Sequence, residues 1–164
     1  MFRTILLICI CFAAAPLIAA QADVRIVPAH LEGPRQLADQ TATAVVKNYI
    51  ESWESLRGAL EQNRPELLDR DFVGGARDKL AETIRQQAKL GLRTSYQDRS
   101  HVVQIVFYSP EGLSVELTDN VQYDVQVRDG DKVIASQPVT MRYLVVLSPT
   151  EVRWRVRVLQ ASAQ

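Results

Sequence analysis

Residues 113–127 alternate so regularly between apolar and polar side chains that one position stands out. Leu113, Val115, Leu117, Val121, Tyr123 and Val125 share a face, and Asp119 shares it with them. Tyr123, four residues on, is a phenol on that same face, so an acid and a phenol project together from one apolar face. A straight strand holds them roughly 13 Å apart, too far to share the reacting centre of a small substrate. Asp119-Asn120 is also a turn-favouring pair, so the spacing predicts a β-bulge there, where a long strand bends.

Other chemistries find less to work with. His101 is the one histidine inside the periodic region, His30 lying in the lead-in, and the sequence offers it no partner for nucleophilic or general-base work, so it reads as a surface or capping group. No histidine shares a helical turn with a carboxylate and both cysteines, Cys9 and Cys11, lie near the N-terminus, so no metal site is expected. "VGGAR" (73–77) lacks the Gly-Lys-Ser/Thr ending of a phosphate loop, and no cofactor is expected. Tyr49, Trp53, Tyr143 and Trp154 have the composition of an aromatic cage, but their spacing on buried faces reads as core.

"EVRWRVRVLQ" (151–160) puts Arg153, Arg155 and Arg157 on one face of a strand. If Leu147 and Val152 flank the "SPTE" turn, Arg153 lies opposite Val146, Arg155 opposite Leu144 and Arg157 opposite Arg142. The resulting outer face mixes aliphatic residues with arginine stems. It reads as a solvated face or as a contact surface for a second copy or a partner protein, formed by Arg142, Leu144, Val146, Arg153, Arg155 and Arg157 and dominated by its aliphatic members; a dedicated anion site is a third reading.

The elements that must position these residues change period once. Leu37, Thr41, Val45, Tyr49, Trp53, Leu56 and Leu60 fall three or four apart, which predicts a long amphipathic helix from Gly33-Pro34 to Asn63. Pro65 opens a short second helix, and residues 76–91 give a third, with Leu80, Ile84 and Ala88 as its stripe and Gly91 as a left-handed cap. Beyond "LRTSYQDRS" the period becomes two, giving strands over 101–108, 113–127, 133–147 and 152–158, with a hairpin at "RDGD" and Val152, Trp154, Val156 and Val158 facing inward. The class is α+β: one long, one short and one medium helix packed on a curved four-stranded antiparallel meander, a single domain over 34–164 after an extended lead-in, 23–33.

The N-terminus sets the compartment. Arg3, the apolar run to Ala20 and Ala20-Gln21-Ala22 form a secretory signal peptide cleaved after Ala22; its apolar run is too short to span a membrane and Pro16 interrupts it. The expected product is an exported, soluble chain of about 140 residues without cysteine, periplasmic or secreted. Its 18 basic and 19 acidic residues nearly cancel, which argues against nucleic-acid binding, and after cleavage no membrane contact is expected.

The order of elements, "YIESW" (49–53) in the long helix, "LLDRDFVGG" (67–75) before the third and the terminal "VRWRVRV" (152–158) make residues 34–160 resemble the nuclear-transport-factor-2-like superfamily of cone-shaped α+β domains. The match is to its short four-stranded variants, such as the intermembrane-space-like domains of plastid-division proteins, with a cystatin-like single helix on a sheet as the nearest alternative. The resemblance implies a sheet curled over the helices, a cone whose open end takes an apolar ligand or an active site, and dimerisation through the sheet. Tyr49, Trp53, Tyr123, Tyr143 and Trp154 are the residues expected to line that cone, and related isomerases place a carboxylate and a tyrosine in it, the roles Asp119 and Tyr123 would take here. Three functions follow as expectations: an exported, non-enzymatic binding or assembly module; a small isomerase or cyclase; and a component of an envelope secretion or division assembly.

Overall fold

The computed structural model describes residues 22–29, 31 and 35–162, so the expected signal peptide lies outside the described residues. Helix α1 (Asp39–Gln62) buries Val45, Tyr49, Trp53, Leu56 and Ala59 at three- and four-residue spacing, and Asn63, at φ 54°, turns the chain out of it. It starts at Asp39, since residues 35–38 are not helical and Ala38 is extended; Gly33-Pro34, the expected start, lies outside the described residues. A 3-10 helix (Pro65–Arg70) and α2 (Gly74–Lys89) follow, the latter ended by Gly91 at φ 70° as expected. The buried stripe of α2 is Ala76, Ala81 and Ile84 with Leu80 half-buried, and Ala88 faces outward.

The sheet has five strands in the order β1-β2-β3-β4-β5: β1 (Asp23–Val27), β2 (Leu92–Tyr108), β3 (Val115–Asp129), β4 (Lys132–Pro149) and β5 (Trp154–Ser162). The expected meander is β2 to β5, all antiparallel. The fifth strand corrects the expected count: part of the lead-in pairs in parallel with β2, Asp23 opposite Ser100 and Val27 opposite Gln104, so the sheet is mixed. None of the described helices is long and apolar enough to cross a membrane.

Three further corrections concern register. β2 begins at Leu92 and not at His101, since "LRTSYQDRS" is itself strand; a bulge between Asp98 and Ser100 breaks its period. Asp119-Asn120 carries no bulge, because both residues pair without interruption with β2 on one side and β4 on the other. β5 does bulge: Val156 pairs with Leu147 and Val158 with Val146, leaving Arg157 unpaired between them. The expected arginine register fails with it. Arg155 lies opposite Ser148, Leu144 faces Gln160 and Arg142 faces Ser162. Val158 turns to the outer face beside Val146, Leu159 takes the inward place opposite Val145, and Val152, expected inward, is exposed in the turn before β5.

The core lies between the helices and the inward face of the sheet, where Val103, Ile105, Leu117, Val121, Val145 and Leu147 meet the α1 stripe. A second cluster locks β5 to the helices: the buried Asp71 accepts hydrogen bonds from Ser55 and Arg153, and Arg153 also reaches Glu51 at 3.1 Å.

Candidate functional site

Asp119 faces inward, as its register requires, and it is fully buried. α1 lays Tyr49 over it and β2 brings His101 beside it. The Tyr49 hydroxyl donates to Asp119 Oδ2 at 2.8 Å, His101 Nδ1 lies 2.7 Å from the same oxygen, and the Val102 amide donates to Oδ1 at 3.1 Å. A carboxylate only accepts, so in that form Asp119 pairs with an imidazole that carries its proton on Nδ1. Burial, with the adjoining Asp119 charge, pushes the Tyr49 hydroxyl well above the ordinary phenol range, so it remains a donor. Trp53 covers the imidazole edge-on, ring centres 5.1 Å apart. His101 is thus a core residue and not the surface or capping group expected.

A cavity of about 450 Å³ opens farther along the same layer. Leu56 and Leu60 of α1 and Leu80 of α2 form its helical wall; Tyr96 of β2, Tyr123 of β3, Tyr143 of β4 and Leu159 of β5 form the sheet wall, with Trp53 between. The Trp53 ring centre stands 5.9 Å from that of Tyr96, 6.1 Å from Tyr123 and 5.6 Å from Tyr143. The Tyr123 and Tyr143 hydroxyls meet at 3.4 Å, the outer limit of a hydrogen bond, and burial raises the Tyr143 pKa. Beside the cavity, Arg57 donates to the buried Asp98 at 3.1 Å; burial raises the Asp98 pKa against the attraction of His101 and Arg57. A separate apolar groove of about 400 Å³ runs between β1 and the start of α1.

Of the five residues expected to line the cone, Trp53, Tyr123 and Tyr143 do so. Tyr49 lies deeper, bonded to Asp119, and Trp154 packs at the flank, where its amide donates to Asn48 Oδ1 at 2.9 Å. Asp119 and Tyr123 are not brought together: the acid is sealed in the packed half and the phenol opens on the cavity. The contact set divides as well. Arg142, Leu144, Val146 and Arg155 stay on the outer face, whereas Arg153 belongs to the Asp71 cluster and the Arg157 stem approaches the start of α2 at Gly74, its bulge having turned it away. Sequence reasoning missed His101, Tyr96 and Asp98. His101 has the inward parity of Val103 and Ile105, and a polar residue at a core position requires a partner.

Among solved structures, the chain is similar to the intermembrane space region of the chloroplast protein ARC6, at 15% identity and TM-score 0.65 over 79% of this chain and 100% of that one. A putative scytalone dehydratase from Novosphingobium aromaticivorans matches at 13% identity and TM-score 0.52, over 77% of this chain and 89% of that one. The Kfla4162 protein from Kribbella flavida matches at 12% identity and TM-score 0.52, over 74% and 92%. The fold is nuclear-transport-factor-2-like. At these identities the likeness is one of fold. No family model matches the sequence, and no curated protein matches it either.

Proposed function

We propose that this chain is an exported, non-enzymatic binding or assembly module that holds a small apolar ligand between its helices and its sheet. One observation supports the reading above others: Asp119 and His101 are kept out of the cavity that Tyr123 lines. Asp119 and His101 are packed behind Trp53, while the cavity is walled by leucines and tyrosines, the make-up of a ligand pocket. The isomerase reading with Asp119 and Tyr123 as its proton-transfer pair loses support from the same geometry. An envelope-assembly component is the form of this reading to which the ARC6 likeness points. Its contact surface would be the outer face around Leu144 and Val146, where Arg142 and Arg155 stand on the same face as Glu116, so a second copy docked about a two-fold axis could set basic groups against acidic ones.

The ligand half is tested by titrating the purified protein with Nile red, an uncharged solvatochromic dye. Saturable binding is expected, together with its loss in Leu159→Trp, which fills the cavity from β5; circular dichroism checks that the variant stays folded. No saturable binding to the wild-type protein overturns the reading. Export is tested by mass spectrometry of the secreted or periplasmic fraction, where a chain beginning at Asp23 is expected and one retaining Met1 would identify a tethered protein.

A further inference from the structure

Within the ligand-holding reading, and resting on it, the cavity carries more information than its size. Among the described residues that line it, none has a carboxylate, ammonium, guanidinium or imidazole group. The Tyr96 and Tyr143 hydroxyls are pushed upward by burial and stay neutral through the physiological range. The nearby cation, Arg57, is engaged by Asp98 and is not part of the wall.

Most of the polar groups at the walls are also occupied, the exceptions being Trp53 Nε1 and the Tyr96 hydroxyl, which are buried without a partner among the described residues. Thr94 Oγ1 donates to Gln87 Oε1 at 2.9 Å, and the Gln87 amide nitrogen donates to Leu60 O at 2.7 Å and to Asn63 Oδ1 at 2.6 Å. Thr83 donates to Lys79 O at 3.1 Å, and Tyr123 and Tyr143 have each other. A ligand entering here meets ring faces and aliphatic carbon. Three tyrosines from adjacent strands face three leucines from two helices, with the indole of Trp53 in edge or tilted contact with all three phenol rings.

We infer that the cone selects uncharged, flat, hydrocarbon-rich ligands and rejects ionised molecules of the same shape. The physical reason is desolvation without compensation. An ion leaving water for this cavity would lose its hydration shell and find no opposite charge, and the neutral Trp53 Nε1 and Tyr96 hydroxyl, the wall's unpartnered polar atoms, could not replace that shell. A neutral ring system gives up little hydration and gains stacking against the phenols.

The test uses three probes with one body and different charge: 2-naphthol, 2-naphthoate and 2-naphthylmethylammonium, titrated at neutral pH against the tryptophan fluorescence of the purified protein. The neutral naphthol is expected to bind at least about tenfold more tightly than either ion, and the naphthoate affinity is expected to climb as the pH is lowered toward its carboxyl pKa. Leu159→Trp should abolish all binding that occurs in the cavity. Equal affinities for the three probes, or tighter binding of an ion, lost in Leu159→Trp alike, overturn the selectivity and leave the ligand-holding reading standing. No saturable binding of any probe, with Nile red also excluded, overturns both.

Discussion

Asp119 and Tyr123 lie four residues apart on one face of one strand, yet they belong to different regions. Around Asp119 the space between sheet and helix is filled: Tyr49, His101 and the Val102 amide all bond to one carboxylate, and Trp53 closes over the imidazole. Around Tyr123 the space is open, because α2 supplies only Leu80, Thr83 and Gln87 to the wall. The difference teaches that an inward register does not define a site. What decides is the layer opposite: where it is complete, a polar residue becomes part of the core's hydrogen bonding, and where it is incomplete, the same strand lines a cavity.

Substitution can break this comparison, and the largest effect is expected at its sealed end. Asp119→Ala removes the group shared by Tyr49, His101 and Val102, and should destabilise the fold by about 3 kcal/mol or more, since three polar groups at a buried site lose their partner at about 1–3 kcal/mol each. Urea denaturation followed by circular dichroism measures it, and a loss below about 1 kcal/mol, the worth of a single ordinary hydrogen bond, would mean the cluster is not a closed unit. The two tyrosines sharpen the contrast. Tyr49→Phe deletes a bond to a buried carboxylate and should cost about 1.5–3 kcal/mol, whereas Tyr123→Phe deletes one loose bond at a cavity wall and should cost under about 1 kcal/mol. The reverse order would exchange the roles of the two regions.

Between them lies Asp98, and its effect depends on pH. Burial raises its folded-state pKa above the ordinary aspartate value of 3.8, so folding favours its protonated form. Its contribution to stability is then fully present below that value and is lost as the pH rises through the raised folded pKa. Asp98→Asn should therefore gain in urea midpoint over the wild type at neutral pH, and the gap should narrow as the pH falls through that window. A gap that widens on acidification would show that the Arg57 pair, and not burial, governs this carboxylate. The smallest effect on folding is expected at the outer face. Leu144→Asp should leave the circular dichroism spectrum unchanged, because the inward Val145 and Leu147 are untouched, while light scattering reports loss of self-association; a variant that associates as the wild type does removes the outer face as a contact surface.

The local half of this architecture was legible. The helical stripe of Tyr49, Trp53 and Leu56, the left-handed stop at Gly91 and the inward register of Asp119 all follow from periods of 3.6 and 2, which side chains impose on their own segment. β1 was not legible, since five residues, most of them exposed, pair in parallel with a strand more than seventy positions away and leave no amphipathic pattern of their own. The bulges in β2 and β5 were illegible for a related reason: one extra residue inverts the facing of every side chain beyond it, which put Val158 outside and Leu159 inside against the apparent alternation.

By itself the sequence determined the α+β class, the order of its helices and antiparallel strands, and the presence of an acid and a phenol on one apolar face, because each depends on neighbours within a few residues. Tertiary structure alone decided what that face does. Tyr49 and Asp119 are 70 positions apart and His101 and Asp119 are 18 apart, and only the packing of α1 onto the registered β2–β3 pair makes them one hydrogen-bonded cluster. Whether Tyr123 meets carbon or empty space was likewise settled by how much of the sheet the helices cover. Buried polar groups and cavities are properties of the volume between layers, and no periodicity along one strand records what stands across from it.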